Sequence, residues 1–223
     1  MVVSAALFVA FAATASAASI LIGAPATGGN CFPFECAPSG GNLGNRYQQV
    51  YAASDFSGLI TITGVTFFDS LFPGATFTDA DYTVTLSTTA KAVNGLDLAN
   101  MNNNVGGDNT MLFSGHRSGA TGVSFTLSGG LFLYNPGSGN LLLDVQMLNI
   151  GARGTGALDA RIGDSGGLFS RAHNFDGGFD NFGLVTQFEG VAATVPEPAT
   201  LTLLGTGIFA LARRTRARRS RSA

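Results

Sequence analysis

Several side chains in this 223-residue sequence carry chemistry that their spacing could concentrate. Asp176 and Asp180 stand in His173-Asn-Phe-Asp-Gly-Gly-Phe-Asp-Asn-Phe182. Acid and amide oxygens beside glycine turns are the ligand types calcium takes. The spacing is not that of an EF-hand loop, and no Glu follows at the offset needed for bidentate ligation. Asp79 and Asp81 form a second pair of the same kind. The alternative for all four is turn formation by Asx residues. Phe175, Phe179 and Phe182, with Asn and Asp neighbours, are suited to stacking on sugar rings. Tyr47 and Tyr51 are a further aromatic pair that fits a core strand equally well. A glycan hydrolase would need two carboxylates facing each other roughly 5 to 9.5 Å apart, and no pair declares itself. No cofactor is expected, and no metal beyond the calcium candidates.

Gly163-Asp164-Ser165-Gly166-Gly167, with His116 and Asp144 upstream, has the nucleophile motif and the chain order of trypsin-like serine proteases. We reject that reading. Those enzymes carry His and Asp largely on one β-barrel and Ser on a second, whereas here all three fall within residues 116–165. His116 lies in Ser-Gly-His-Arg rather than Ala-Ala-His-Cys. The run reads as a glycine-rich turn.

The two ends of the chain carry addresses. Residues 2–15 are an apolar run of the length of a signal-peptide core, and Ala15-Ser16-Ala17 is a small-x-small cleavage pattern. Cleavage is expected after Ala17, between Ala17 and Ala18. The initiator amine is the only positive charge ahead of the run, a departure from the usual pattern. A buried Ala-rich helix is the alternative. Export sets the redox compartment: Cys31 and Cys36, the only two cysteines, are expected to form a disulfide around a short loop. A metal site is the rival, but His116 and His173 are distant in sequence.

The formal net charge of -2 hides a split. Six arginines (Arg213, Arg214, Arg216, Arg218, Arg219 and Arg221) end the chain with no acid among them. The 212 residues before them hold six basic and all 14 acidic groups, a net charge of -8. Such a body repels phosphates, which excludes nucleic acid as a partner. Between body and arginines, Val195-Pro196-Glu197-Pro198 precedes a 14-residue apolar run, residues 199–212. As a helix the run is about 21 Å long, against a hydrocarbon core of about 30 Å, so it spans by thinning the bilayer or snorkelling Arg213 and Arg214. The arginines hold their end in the cytoplasm and leave the body outside. Pro196 and Pro198 stop the helix from extending backward and keep that stretch extended.

This order of parts resembles the PEP-CTERM sorting signal of Gram-negative bacteria: Pro196-Glu197-Pro198, the apolar run with Gly205 and Gly207, then the arginine-rich end. The resemblance implies an exosortase, a membrane cysteine transpeptidase, as processing partner. Cleavage would fall at or near Pro196-Glu197-Pro198, with Glu197 a recognition residue. The body would be released or attached to extracellular material in bacteria that make exopolysaccharide. A plain membrane anchor without processing is the alternative.

The elements that must carry these groups read as strands. Tyr82, Val84 and Leu86 alternate with Thr and Ser, as do Val123, Phe125 and Leu127. Leu141, Leu143, Val145 and Met147 share one face against Asp144 and Gln146; Leu158, Ala160 and Ile162 alternate with Asp159 and Arg161. Such strands belong to antiparallel sheets with one wet face. In residues 59–68 the apolar parity switches at Gly64, which predicts a bulge or a bend there. Residues 131–134 and 141–148, joined through Asn135-Pro-Gly-Ser-Gly-Asn140, predict a hairpin. Hydrophobic residues make up 45% and charged residues 12%, with 31 Gly, 18 Phe and no Trp. That balance excludes a charged disordered chain, and the glycines lack the collagen period.

About eight to ten short strands predict an all-β, antiparallel β-sandwich of jelly-roll type, with a small barrel as alternative. An N-terminal signal helix and a C-terminal hydrophobic anchor helix are expected to flank it. The expected organisation is a signal peptide at 1–17, the sandwich at 18–190, a linker with the Pro-Glu-Pro motif at 191–198, the anchor at 199–212 and a cytoplasmic tail at 213–223. Gly44-Asn-Arg-Tyr-Gln-Gln-Val-Tyr51 through Phe68, with residues 132–137 and 139–144, looks like the body of several secreted PEP-CTERM proteins of unknown function. The first expectation is an exported, non-enzymatic envelope or matrix protein, structural or adhesive, associated with exopolysaccharide or biofilm. A carbohydrate-binding module is the second, and a glycan-active hydrolase the third.

Overall fold

The computed structural model describes residues 16–26, 28–36, 45–161, 167–174 and 179–192, with Gly205 and Gly207 isolated in the tail. Ala15–Ala193 forms one compact unit, and Met1–Thr14 with Thr194–Ala223 a second. In the second unit only Gly205 and Gly207 are described, both with helical backbone. The expected signal and anchor helices otherwise lie outside the described residues. Ser16 and Ala17, expected to end the signal helix, belong to a strand instead. Among the described residues, no helix is long and apolar enough to cross a membrane.

The strands are β1 (Ser16–Ile22), β2 (Gly29–Asn30), β3 (Arg46–Tyr51), β4 (Ile60–Phe68), β5 (Ala80–Thr89), β6 (Thr110–Arg117), β7 (Ser124–Tyr134), β8 (Asn140–Leu148), β9 (Leu158–Arg161), β10 (Phe169–His173), β11 (Phe179–Asp180), β12 (Gly183–Leu184) and β13 (Thr186–Ala192). They form a sheet of order β1-β13-β4-β7, a sheet of order β11-β10-β3-β8-β5-β6, and a small sheet of order β12-β9-β2. Every pairing is antiparallel. Successive long strands alternate between the two large sheets, except that β5 and β6 pair with each other. That alternation is the double Greek key of a jelly roll, with β10 and β11 added beside β3.

Alternation places the core. Leu141, Leu143, Val145 and Met147 of β8 are fully buried between the large sheets, with Tyr82, Val84 and Leu86 of the adjacent β5. From the facing sheet come Ile60, Ile62, Val65 and Phe67 of β4. These share one face because β4 shifts register between Ile62 and Gly64, the expected bulge. A Cβ on Gly64 would stand 3.3 Å from both Ser128 Cβ and Thr126 Cγ2 of β7. Aromatic rings bridge the sheets. Tyr51 meets Phe188 edge-on at 4.9 Å, and its hydroxyl donates to Thr186 Oγ1 at 2.7 Å. Burial pushes the Tyr51 hydroxyl well above its ordinary pKa.

Three local readings need correction. The segments around Asn135-Pro-Gly-Ser-Gly-Asn140 do not form a hairpin: β7 and β8 lie in different sheets, and the 3-10 turn Pro136–Ser138 carries the chain between them. Val123 precedes β7 and is exposed, so the buried face there begins later, with Phe125 partly covered and Leu127 fully. The polar face of β8 is covered at Leu142 and Asp144, where residues 91–105 fold back over it, while Gln146 stays exposed as expected. Leu142 packs there with Val50, Leu96, Met101 and Ala172. Beside them Arg46 donates from Nε to Asp144 Oδ1 at 3.0 Å and pairs with the other oxygen through Nη2. Gln48 donates to Asp144 Oδ2 at 3.0 Å, and Asn104 donates to Gln48 Oε1 at 2.8 Å.

Phe34, in the loop between β2 and β3, is 1% exposed and touches the rings of Phe67, Tyr82 and Phe125. Phe34→Ala is therefore expected to cost about 3–5 kcal/mol in denaturant unfolding. Leu133→Ala, on the solvent face of β7, is expected to change stability by about 0.5 kcal/mol or less.

Candidate functional site

Loops from several strands meet at one end of the sandwich: residues 31–36, 69–79, 118–123 and 149–157. Cys31 and Cys36 are joined by a disulfide with Cα atoms 5.2 Å apart. Inside that loop the amide N–H groups of Glu35 and Cys36 both donate to the Cys31 carbonyl, at 2.7 and 3.2 Å. The Phe34 carbonyl accepts from Thr78 N at 2.6 Å. Thr76 bridges both Ala120 and Thr155, which knits the other three loops together.

Three carboxylates are fully buried in this cluster: Glu35, Asp69 and Asp159. Asp159 is well supplied with donors. Its Oδ2 accepts from Ala26 N at 2.9 Å and Ser70 Oγ at 2.6 Å, and its Oδ1 from Ser70 N at 3.2 Å. Asp69 Oδ2 accepts from the Thr121 hydroxyl at 2.7 Å. Asp69 Oδ1 and both oxygens of Glu35 have no donor. Glu35 lies near enough to Asp69 and Thr121 to interact with both. The Thr121 hydroxyl has one proton to share among Asp69 Oδ2, the Ala75 carbonyl and Glu35, and ionised carboxylates only accept. No Arg, Lys or His among the described residues stands within ion-pair distance of these three acids. Burial first, then the charge of Asp69, pushes the Glu35 carboxyl up to about 8.

The groups proposed from sequence are distributed differently. His116 on β6 sits at the surface with Nδ1 3.1 Å from Asp81 Oδ1 and Nε2 3.3 Å from Asp79 Oδ1. The Asn149 amide donates to Asp81 Oδ2 at 2.7 Å, and this bond, with His116, lowers the Asp81 carboxyl below its ordinary range. Asp79 and Asp81 thus face a histidine in the described structure. His116 and Asp144 are not brought together. His116 is opposite Asp81 and Asp144 opposite Thr85 on the intervening strand β5, about 13 Å apart along it. Ser165 lies outside the described residues, as do Phe175, Asp176 and the side chains of Phe179 and Asp180. Tyr47 and Tyr51 are fully buried. Phe182 is 9% exposed and carries the Arg171 guanidinium 4.2 Å above its ring. Ala17 and Ala18 lie on β1 opposite Val191 and Gly190. Ala15, Pro196, Glu197, Pro198 and the terminal arginines are outside the described residues.

Sequence reasoning missed Glu35, Asp69, Thr121 and Asp159. The available signal was slight: Glu35 closes the otherwise apolar Phe-Pro-Phe-Glu, whereas Asp159 falls on the polar parity of its strand. Neither position says which other acid it meets.

Fold and termini define a class: an all-β body of antiparallel sheets followed by a C-terminal sorting segment. More particularly, residues 194–219 match the family model described as the PEP-CTERM protein-sorting motif, and the chain carries that motif. The motif supports an exported protein, anchored in a membrane before processing and sorted by an exosortase. No curated protein and no solved structure matches the chain.

Glu35 gives the body a pH dependence. Its folded pKa is raised, so between about pH 4.5 and about pH 8 the folded chain holds a proton that the unfolded chain releases. Stability is therefore full below pH 4.5 and falls as pH rises through 8. In chelator, unfolding free energy is expected to drop by about 1 kcal/mol per pH unit across that window. Glu35→Gln is expected to flatten the profile there.

Proposed function

We propose that this protein is a non-enzymatic component of the cell envelope or extracellular matrix, with a structural or adhesive role in association with exopolysaccharide. The single observation that carries the reading is the sorting motif at residues 194–219. Its parts divide the work physically. The apolar run holds the exported body at the membrane, and the arginines keep the tail's tip on the cytoplasmic side, because guanidinium groups do not cross the bilayer readily. The Pro196-Glu197-Pro198 segment is what the exosortase reads and cuts.

A structural role fits the arrangement of the body's polar groups. His116 is engaged by Asp79 and Asp81, Asp144 by Arg46 and Gln48, and Gln49 bonds the Leu184 carbonyl at 2.9 Å. These side chains hold segments to one another. Residues 18–190 hold 13 acidic and six basic side chains, a net charge of -7, so a neutral polysaccharide is a better partner for the body than an anionic one.

Mass spectrometry of the mature protein from its host is expected to show a new N-terminus near Ala18 and a C-terminus near Pro196-Glu197-Pro198. Replacing Pro196, Glu197 and Pro198 together by Ala is expected to leave the tail attached and the protein in the membrane fraction. Removal of the tail from that variant would refute exosortase sorting. Release of the mature protein by washing, with none retained by host exopolysaccharide, would refute the matrix role.

A further inference from the structure

The buried acids beneath the disulfide loop are unexplained by sorting or by a matrix role. Glu35 and Asp69 are both fully buried and within reach of each other, and when both are ionised three of their four oxygens have no donor. A buried carboxylate without a partner is costly and persists where it is neutralised or coordinated. No basic side chain among the described residues performs that task here.

The donor set says what would. It is made only of oxygen: Glu35 Oε1 and Oε2, Asp69 Oδ1, and the Thr121 hydroxyl. The Thr121 hydroxyl oxygen lies 2.7 Å from Asp69 Oδ2, and whichever acceptor takes its one proton, its lone pairs can act as ligands. The Ala75 carbonyl lies 3.1 Å from the same hydroxyl. Oxygen without sulfur or imidazole selects a hard cation. Two carboxylates match a charge of two. A bidentate Glu with neutral hydroxyl and carbonyl oxygens, in an irregular loop cluster, suits calcium better than magnesium, which demands a near-ideal octahedron. Among the described residues no group of three or more His, Cys, Asp and Glu side chains is arranged to hold a metal. A calcium site does not require one, because carbonyls, hydroxyls and water complete its shell. Asp159, satisfied by its own donors, adds negative charge from outside that shell.

The surroundings hold Glu35 in place. Gly156 has φ +114°, and a Cβ there would stand 3.0 Å from Glu35 Oε2 and 2.3 Å from Ala75 Cβ. The backbone of residues 155–157 can approach the carboxylate this closely only without a side chain.

We propose that Glu35, Asp69 and Thr121 form a calcium site that ties the Cys31–Cys36 loop to the β4–β5 and β6–β7 loops. The site is independent of the sorting reading, since every residue in it belongs to the body.

The test is calcium titration of the purified full chain after exhaustive chelation, read by isothermal calorimetry and by melting temperature. One calcium ion per chain is expected, with a melting temperature that rises with calcium concentration and at least tenfold weaker binding of magnesium. Glu35→Gln and Asp69→Asn are each expected to weaken calcium binding at least tenfold, while Asp79→Asn leaves it unchanged. Absence of calcium binding by the folded wild-type chain would overturn the proposal without recourse to any variant. Undiminished binding in well-folded Glu35→Gln and Asp69→Asn chains would also overturn it, by placing the ion elsewhere. Equal affinity for magnesium would overturn the calcium assignment.

Discussion

The aromatic layer between the two large sheets is the constraint on which the rest of the body depends. With 12% charged residues and no Trp, the chain fills its interior with Phe and Tyr. Several of these rings reach across the gap between the sheets. Tyr51 from the six-stranded sheet meets Phe188 from the four-stranded sheet, and Phe34 touches rings contributed by both. The phenolic groups are satisfied within the layer: Tyr82 donates to the Thr78 carbonyl at 2.9 Å and Tyr134 to the Gly139 carbonyl at 2.8 Å. Burial raises the pKa of both, so they stay neutral hydrogen-bond donors inside the core.

That layer also explains the loop end. Phe34 can enter the core only if residues 31–36 turn sharply, and the Cys31–Cys36 disulfide closes that turn. The turn then delivers the neighbouring Glu35 into the interior, opposite Asp69 at the end of β4 and Thr121 before β7. The acid cluster is thus a geometric consequence of anchoring an aromatic residue. Two carboxylates in such a place need a proton or a cation between them.

The two termini of the body meet at its other end. Ser16 pairs with Ala192, and the β1–β13 ladder continues to Ile22 and Thr186. The residues flanking the expected signal cleavage point therefore lie on an edge strand beside the strand that leads to the sorting motif. Main-chain bonding thus joins the first and last long strands of the body.

Much of this was legible in the linear chain. Alternation in β5 and β8 identified the inward residues, because side-chain direction repeats every two positions wherever a strand forms. The parity switch at Gly64 located the bulge for the same reason. The sorting motif was readable as well, since its parts act in sequence order on a membrane and need no tertiary partner. Other features were decided only by the fold. Nothing local indicated that β7 and β8 belong to different sheets, because periodicity specifies a face and not a partner strand. Asp144 looked solvent-facing until residues 91–105 covered it. Glu35, Asp69, Thr121 and Asp159 are separated by up to 124 positions, and hydrogen bonding among four loops brings them together. Sequence by itself determined the strands, their buried faces and the terminal address. Tertiary structure decided which strands pair and which acids meet, since those contacts join distant residues through packing that no local pattern encodes.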